Sequence, residues 1–200
     1  ASDVYKRQIL AKVIEQFSGL RLPGCWDIFE FSIRAILGQQ ISVKGATTLA
    51  QRIAEKYGDD LVDIEQPENI NATKYFPKIA ALLNVDYQDI GLTRSRIATL
   101  QTWVSYFQQH ESIFTKGLTI EELEATLTKL KGIGPWTVNY IGMRGLSDPD
   151  AFPSADLGII KALTFNEIKP RNKDILALAE SWRPWRAYAA IYLWQSLATQ

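Results

Sequence analysis

Apolar residues recur at intervals of three and four along most of this 200-residue chain, which is the spacing of one face of an α-helix. The stripes are Phe31, Ile33, Ile36 and Leu37; Ala46, Leu49, Ala50, Ile53 and Tyr57; Ile97, Leu100, Val104 and Phe107; Leu123, Leu127 and Leu130; Ile175, Leu178, Ala179 and Trp182; and Tyr188, Ile191, Tyr192 and Trp194. No segment shows the alternation of apolar and polar residues that is typical of a half-buried strand. The pattern therefore predicts an all-α protein.

Several of these stripes are bounded by residues that favour a helix end. Asp27–Glu30 and Thr119–Glu122 have the form of capping boxes, in which two side chains satisfy amides of the first turn. Gly58 is placed to stop the helix before it, and Asn172 to cap a late helix. Pro184 is placed as the first residue of the last, aromatic-rich helix. We therefore expect helices to begin or end at these positions.

Composition and charge narrow the class of protein. Twenty-two basic and 22 acidic residues cancel, so any contact with nucleic acid must be local and use main-chain amides as well as side chains. Cys25 is the only cysteine, which excludes an internal disulfide and a zinc or iron–sulfur site built from cysteines. No apolar run is long enough to span a membrane, and the first residues do not resemble a signal peptide. We expect a cytoplasmic protein that, lacking an initial Met, is a processed product or a fragment of a longer chain.

The segment 127–140 places two glycines between two helices. Gly132-Ile133-Gly134 follows a capped helix, and Pro135 restarts a helix at once. The glycines permit a tight turn that brings main-chain amides to the surface, while Ile133 anchors the turn in the core. The amides and the positive dipole at the start of the second helix suit one phosphate group. The alternative is a helical corner whose glycines serve close packing only.

The full pattern of this segment, apolar-x-x-apolar-Lys-Gly-apolar-Gly-x-x-Thr, resembles the helix-hairpin-helix motif of the DNA glycosylase superfamily. The closest branch is 3-methyladenine DNA glycosylase II, and the resemblance extends over nearly the whole chain from about Gly19. It implies a helical glycosylase core over 1–200, with two lobes and an active site in the cleft between them. We expect one lobe at about 40–145, including the hairpin 127–145, and the other at 1–39 plus 146–200. The hairpin residues expected to bind DNA are Lys131, Gly132, Ile133, Gly134 and Thr137.

One carboxylate after the hairpin fits this resemblance. Asp156 lies 22 positions after Gly134, opens the apolar run of a further helix and matches the family pattern Phe-Pro-x-x-Asp-Leu-Gly. The resemblance makes it the catalytic carboxylate, because a negative charge stabilises the oxocarbenium character of the sugar and orients the attacking water. A plain N-cap is the alternative, and the two roles are compatible. Asp148 and Asp150 are interpreted as solvated surface acids.

Six Trp and eight Tyr residues offer material for a base pocket. The resemblance assigns Trp136, Tyr140 and Trp182 to that pocket, where aromatic faces attract a flipped base that alkylation has made cationic. The tryptophans assigned to the hydrophobic core are Trp26, Trp103 and Trp194. Relatives that also cut the DNA strand have a lysine at the position of Trp136, so the resemblance implies an enzyme that leaves an abasic site.

Two further features follow from the resemblance. The loop with Gln39, Gln40 and Ile41 matches the segment that wedges into the duplex where the base leaves, and Gln40 stands where the best-known relative has an apolar wedge. The alternative is that the two glutamines are ordinary polar residues at a helix end. The carbonyls expected to bind a structural Na⁺ or K⁺ belong to Thr128, Leu130 and Gly132. No other cofactor is expected.

The sequence therefore predicts a monofunctional DNA glycosylase that flips alkylated bases, such as 3-methyladenine and 7-methylguanine, out of duplex DNA and hydrolyses their N-glycosidic bonds. The expected partner is double-stranded DNA containing such bases, with no membrane, and the protein is expected to be monomeric and, in a bacterium, associated with the nucleoid. A mismatch-specific glycosylase of the same fold is one alternative, disfavoured by the tryptophan-rich C-terminal segment and the missing cluster cysteines. A non-catalytic DNA-binding module is the other, disfavoured by Asp156.

Overall fold

Helices form almost all of the regular structure in the computed structural model, which describes residues 10–61 and 73–198. The described part of α1 covers residues 10–16. The later helices are α2 (Ile28–Leu37), α3 (Val43–Tyr57), α4 (Ile79–Leu82), α5 (Arg94–His110), α6 (Ile120–Leu127), α7 (Pro135–Gly145), α8 (Leu157–Ala162), α9 (Asn172–Ala179) and α10 (Arg186–Ala198). Short 3-10 turns follow α5 at Glu111–Phe114 and α9 at Glu180–Trp182. Within the described ranges the only β-pairing is two isolated bridges, so the prediction of an all-α protein is confirmed.

One predicted capping box, the N-cap half of the other and one predicted helix end are confirmed. The Asp27 carboxylate accepts a hydrogen bond from the Glu30 amide at 2.7 Å, which starts α2. The second box is reciprocal: Glu122 accepts from the Thr119 amide at 2.9 Å, and the Thr119 hydroxyl accepts from the Glu122 amide at 3.2 Å. Gly58 is the C-cap of α3. These bonds join residues within one helical turn, which is why the sequence alone predicts them.

Two other helix starts differ from the prediction. The N-cap of α9 is Arg171, and Asn172, the predicted cap, is the first residue of the helix. α10 begins at Arg186 rather than at Pro184. A turn over 182–185, closed by an amide-to-carbonyl hydrogen bond of 2.7 Å, takes the place of the predicted first helical turn.

The chain divides into two compact units. The first contains the described parts of Ala1–Cys25, Thr119–Glu124 and Gly134–Gln200, and the second those of Trp26–Leu118 and Ala125–Ile133. These bounds differ from the lobes expected from the sequence, because α2 packs with α3 and α5 and so belongs to the second unit. α7 belongs to the first unit, together with α8, α9 and α10. None of the helices in the described ranges has both the length and the apolar character that crossing a bilayer requires.

The core of the second unit lies where α2, α3 and α5 meet. Its fully buried side chains include Ile33, Ile36, Leu37, Ile53, Leu100, Val104 and Phe107. Trp103 is buried among them, as predicted, and its indole nitrogen donates to the Ser32 hydroxyl at 2.7 Å. Trp26 was assigned to the core as well, but its side chain is fully exposed, because it precedes the capping residue of α2 and lies outside the buried stripe.

The core of the first unit holds the helices that carry the candidate site. α8 packs against α10, and the buried side chains include Val138, Ile141, Met143, Ile159, Ile175 and Leu193. Burial of each such side chain contributes about 1.5–3 kcal/mol to stability. Gly142 permits the close approach of α7 to α6, since a Cβ atom there would lie 2.6 Å from Cδ1 of Ile120. The packing thus fixes the positions of α7, α8 and α10 in this unit.

The residues between α6 and α7 form the predicted hairpin. α6 ends at Leu127, before Leu130, the last residue of its predicted apolar stripe. Two successive turns follow, closed by hydrogen bonds of 3.0 Å from the Leu130 amide to the Leu127 carbonyl and from the Ile133 amide to the Leu130 carbonyl. Ile133 is buried, as expected of an anchor. Gly132 has a φ of 87°, and a Cβ atom there would lie 2.0 Å from Oγ1 of Thr99. This position therefore requires glycine for both its backbone angle and its space.

The two hairpin glycines should differ sharply when replaced by alanine. We expect Gly132→Ala to lower the free energy of unfolding by about 2 kcal/mol or more, because the left-handed backbone and the clash with Thr99 both act against it. Gly134→Ala should cost less than about 1 kcal/mol, since Gly134 has an ordinary φ and no heavy atom within 4 Å of the added Cβ. Urea unfolding of the two variants tests this. Equal losses would contradict the difference in local packing.

Candidate active site

Asp156 is held by four N–H groups. It is the N-cap of α8, and Oδ1 accepts from the amides of Gly158 at 2.8 Å and Ile159 at 3.2 Å. Oδ1 also accepts from the indole nitrogen of Trp194 at 2.8 Å, and Oδ2 accepts from that of Trp136 at 3.1 Å. The plain N-cap role weighed for this aspartate is therefore present, and two indole donors add to it. All four donors stabilise negative charge on the carboxylate.

Trp136 lies in the first turn of α7 and takes part in two interactions. Its indole N–H holds Asp156, and its ring stacks on Tyr140 with 5.1 Å between centroids and 8° between planes. Burial is the main cause that raises the pKa of Tyr140; the charge of Asp156 raises it further, and Arg144 opposes both. The phenol therefore stays neutral over the physiological range. The stacked pair presents an aromatic surface beside a carboxylate.

Trp194 is the site residue that sequence reasoning missed. The helical stripe of α10 assigned it to the core, but its side chain is only half-buried and its N–H points to Asp156. Its ring also meets that of Tyr140 edge-on at 6.2 Å. Nothing local in the sequence marks this role, because the partner carboxylate lies 38 residues earlier.

Trp182, the third predicted pocket residue, contacts a different aromatic side chain of the first unit. Its ring packs edge-on against Phe152 at 5.8 Å, and the side chain is half-buried. The structure thus brings Trp136 and Tyr140 together with Asp156, and it adds Trp194 to them. The pocket role of Trp182 stays a prediction.

Asp150 is not the solvated surface acid that the sequence suggested. Its side chain is 18% exposed, and both of its oxygens are hydrogen-bonded to the guanidinium of Arg186. Arg183 binds the same carboxylate. The sequence does not reveal this pairing, because the two segments that form it lie more than 30 residues apart. Asp148, the other acid of the loop, accepts from the Asp150 amide at 2.7 Å.

In the second unit, the predicted wedge loop contacts the hairpin. The side-chain amide of Gln39 donates to the Gly132 carbonyl at 3.0 Å, and Arg96 donates to the Gln39 carbonyl. Gln40 is exposed with a φ of 59°, and Ile41 is 38% exposed. Gln39 therefore ties the loop to the hairpin, which leaves Gln40 and Ile41 as the side chains directed to solvent.

The remaining hairpin candidates differ in exposure. Lys131 and Gly132 are exposed, whereas the Thr137 side chain is buried. The role of Thr137 in DNA binding stays a prediction. Gly134 is the N-cap of α7 and provides no side-chain cap, so the positive end of that helix dipole is not covered by a side chain from this residue.

The predicted cation site was a set of three main-chain carbonyls, those of Thr128, Leu130 and Gly132. The Leu130 carbonyl accepts from the Ile133 amide at 3.0 Å, and the Gly132 carbonyl accepts from Gln39 at 3.0 Å. A carbonyl oxygen has two lone pairs, so each of these keeps one for a cation. The donor set is of the oxygen type that Na⁺ and K⁺ accept, and the cation stays a prediction. Among the described residues, no group of three His, Cys, Asp or Glu side chains offers another metal site.

Comparison with known proteins finds relatives that are named as DNA glycosylases or DNA repair enzymes, although no family model matches the chain. The chain is 37% identical over 179 residues to DNA-3-methyladenine glycosylase 2 of Escherichia coli, covering 88% of this chain and 60% of that protein. It is 34% identical over 201 residues to DNA-3-methyladenine glycosylase of Bacillus subtilis, covering 94% and 63%. A probable bifunctional transcriptional activator/DNA repair enzyme AlkA of Mycobacterium tuberculosis is also 34% identical, with 94% and 37% covered. The chain thus spans between 37% and 63% of the length of these three relatives.

Solved structures agree with the fold. A 3-methyladenine DNA glycosylase from Archaeoglobus fulgidus superimposes with a TM-score of 0.75 at 25% identity, covering 94% of this chain and 64% of that chain. A Schizosaccharomyces pombe 3-methyladenine DNA glycosylase in complex with abasic DNA has a TM-score of 0.72 at 24% identity, covering 97% and 95%. As the sequence predicts, the chain is similar to helix-hairpin-helix DNA glycosylases, both in its curated relatives and in its helical fold.

Proposed function

We propose that this chain hydrolyses the N-glycosidic bond of alkylated bases in duplex DNA and leaves an abasic site. The observation that carries the proposal is the Asp156 carboxylate, held by two main-chain amides and two indole N–H groups beside an aromatic surface. A DNA-binding module has no use for a carboxylate placed in this way. The names of the relatives favour alkylated bases as substrates.

Asp156 supplies the electrostatic part of the reaction. As the bond from the sugar C1′ to the base nitrogen breaks, the sugar gains oxocarbenium character, and the carboxylate stabilises that positive charge. The electron pair of the breaking bond leaves with the base. A water oxygen then bonds to C1′, and its proton passes to the carboxylate. Because alkylation makes the base a good leaving group, this step needs no strong acid on the base.

The aromatic side chains around Asp156 would form the base pocket. A flipped base that carries a positive charge is attracted to the electron-rich faces of Trp136, Tyr140 and Trp194. The neutral phenol of Tyr140 adds no charge of its own to this surface. Trp182, packed on Phe152, is the fourth aromatic residue that we assign to the pocket.

Trp136 also bears on the kind of product. The family members that cut the DNA strand use a lysine amine at this position, and an indole cannot form the Schiff base that this cut requires. We therefore assign hydrolysis without strand cleavage to this chain. We propose that water is the nucleophile and that no cofactor takes part. A cation at the carbonyls of Thr128, Leu130 and Gly132 would have a structural role only.

DNA would be held by the hairpin and the wedge loop. Main-chain amides at the start of α7, next to the exposed Gly132 and Lys131, would bind one phosphate. The exposed pair Gln40 and Ile41 would fill the gap that the flipped base leaves. This mode suits a chain whose net charge is zero, because it depends on oriented amides more than on bulk attraction.

The central test is base release from methylated duplex DNA. We expect the wild type to release 3-methyladenine and 7-methylguanine and to leave abasic sites uncut until alkali is added. Asp156→Asn should slow release by about 100-fold or more, since the charge is lost while asparagine remains a good N-cap and preserves the fold. Asp174→Asn, which removes an exposed carboxylate paired with Arg171, is the control. Full activity of Asp156→Asn would refute its role, and release of adenine or thymine from mismatches alone would favour the mismatch-specific alternative.

The hairpin can be tested apart from the chemistry. Gly134→Ala should weaken binding to duplex DNA by about tenfold, because a methyl group would stand where a phosphate approaches the start of α7. Gly24→Ala is the matched control, since an added Cβ there has only Ser147 within reach, at 3.8 Å. Fluorescence anisotropy with a labelled abasic duplex measures both. Unchanged affinity of Gly134→Ala would exclude the hairpin as the phosphate site.

The indole donor on α10 gives a third test. Trp194→Phe keeps an aromatic ring but removes the N–H to Asp156, so we expect single-turnover base release to slow by about tenfold with little change in DNA affinity. Trp185→Phe, at a tryptophan that is 58% exposed, is the control. If the two variants release base at the same rate, the hydrogen bond from Trp194 does not contribute to the reaction.

A further inference from the structure

The loop that leads to Asp156 is attached to the start of α10 by an ion pair. Nε and Nη2 of Arg186 donate to the two oxygens of Asp150 at 2.8 and 2.9 Å, and the Arg186 side chain is 8% exposed. The guanidinium of Arg183 binds the same carboxylate. The residues next to this pair are also bonded: the amide of Ala187, which follows Arg186, donates to the carbonyl of Pro149, which precedes Asp150, at 2.9 Å. The loop therefore follows any movement of the helix that carries Trp194.

A second attachment joins the same loop to α7. Asn139 is buried, and its side-chain oxygen accepts from the Phe152 amide at 2.9 Å. Its side-chain nitrogen donates to Glu124 at 3.0 Å and to the Pro135 carbonyl at 2.9 Å. The amide thus uses both its donor and acceptor functions, which fixes its orientation. It lies one helical turn after Trp136, the other indole donor.

Little freedom remains between these attachments and the carboxylate. Phe152 and Pro153 are buried. Two hydrogen bonds close short turns after them, from the Ser154 amide to the Phe152 carbonyl at 2.8 Å and from the Asp156 amide to the Pro153 carbonyl at 2.9 Å. A shift of Phe152 would therefore be passed on to Asp156.

We propose that Asp150 and Asn139 are positioning residues, which set the Asp156 carboxylate between its two indole donors. The two attachments end on the two helices that supply those donors: Asp150 on α10 with Trp194, and Asn139 on α7 with Trp136. The loop and the two indole donors are therefore held by the same pair of helices. An apolar contact could stabilise the loop equally well, since a buried ion pair often adds little net stability, but it would not fix the direction of the chain.

The inference rests on the proposed function for its kinetic consequence, because a carboxylate displaced by even 1 Å loses much of its effect on a transition state. We expect Asp150→Asn to slow single-turnover base release by about tenfold or more, with affinity for abasic DNA unchanged. In the Asp156→Asn background the same change should cause no further loss, since Asp150 acts only through Asp156. The control is Ile175→Val, which removes one methyl group from the same buried core and should leave the rate unchanged.

A measurement that does not depend on activity separates the two proposals. In a ¹H–¹⁵N spectrum, Asp156→Asn identifies the indole N–H signals of Trp136 and Trp194, because it alters their common acceptor. Asp150→Asn should shift those two signals, and Ile175→Val should not. If both signals stay in place, the positioning role is overturned whether or not the wild type releases bases. Shifted signals with an inactive wild type would retain the positioning role and reject the proposed function, while a rate loss that persists in the Asp156→Asn background would overturn the route through Asp156.

Discussion

A carboxylate placed against aromatic rings loses part of its hydration, and its charge is tolerated only where hydrogen-bond donors replace the water. Asp156 meets that requirement with donors from three helices, α7, α8 and α10, so its position depends on how the three pack. Gly158 shows how close this packing is, since a Cβ atom there would lie 2.8 Å from Cδ1 of Trp194. The first unit is organised around this constraint, because the helices that bury its core are also the helices that donate to the carboxylate.

Under the proposed mode of DNA binding, the hairpin lets a chain with no net charge approach a polyanion. Its two glycines have different roles. Gly132 allows a left-handed turn in contact with Thr99, whereas Gly134 is the N-cap of α7 and has no side chain that could cover the start of the helix. Main-chain amides at the start of α7 would then bind a phosphate with no need for a surplus of lysine and arginine.

The sequence was informative where partners lie close together in the chain. The N-cap bond of Asp27 and the capping box at Thr119 span three residues each, and the glycine pair of the hairpin has a local backbone reason, so pattern and propensity predict them. Trp194 and Asp150 were misread because their partners lie 38 and 36 residues away, and a helical stripe does not show which of its members is turned to a polar neighbour. Asn139 was the available signal, since an amide on the buried face of α7 must have hydrogen-bond partners, but the sequence does not say which ones.

Under the proposed mechanism, the residue at position 136 selects between two chemistries. An indole can stack through its faces and donate through one edge at the same time. The Trp136 side chain does both, with Tyr140 stacked on its ring and Asp156 bonded to its N–H. A lysine in its place would bring a nucleophilic amine, but it would replace the flat ring with a flexible chain and set a cation against the carboxylate. That cation would neutralise the charge that is to stabilise the oxocarbenium ion. Under the proposed mechanism, hydrolysis of an already cationic base is served better by the aromatic wall, because the wall attracts the base and leaves the negative charge of Asp156 free to act on the sugar.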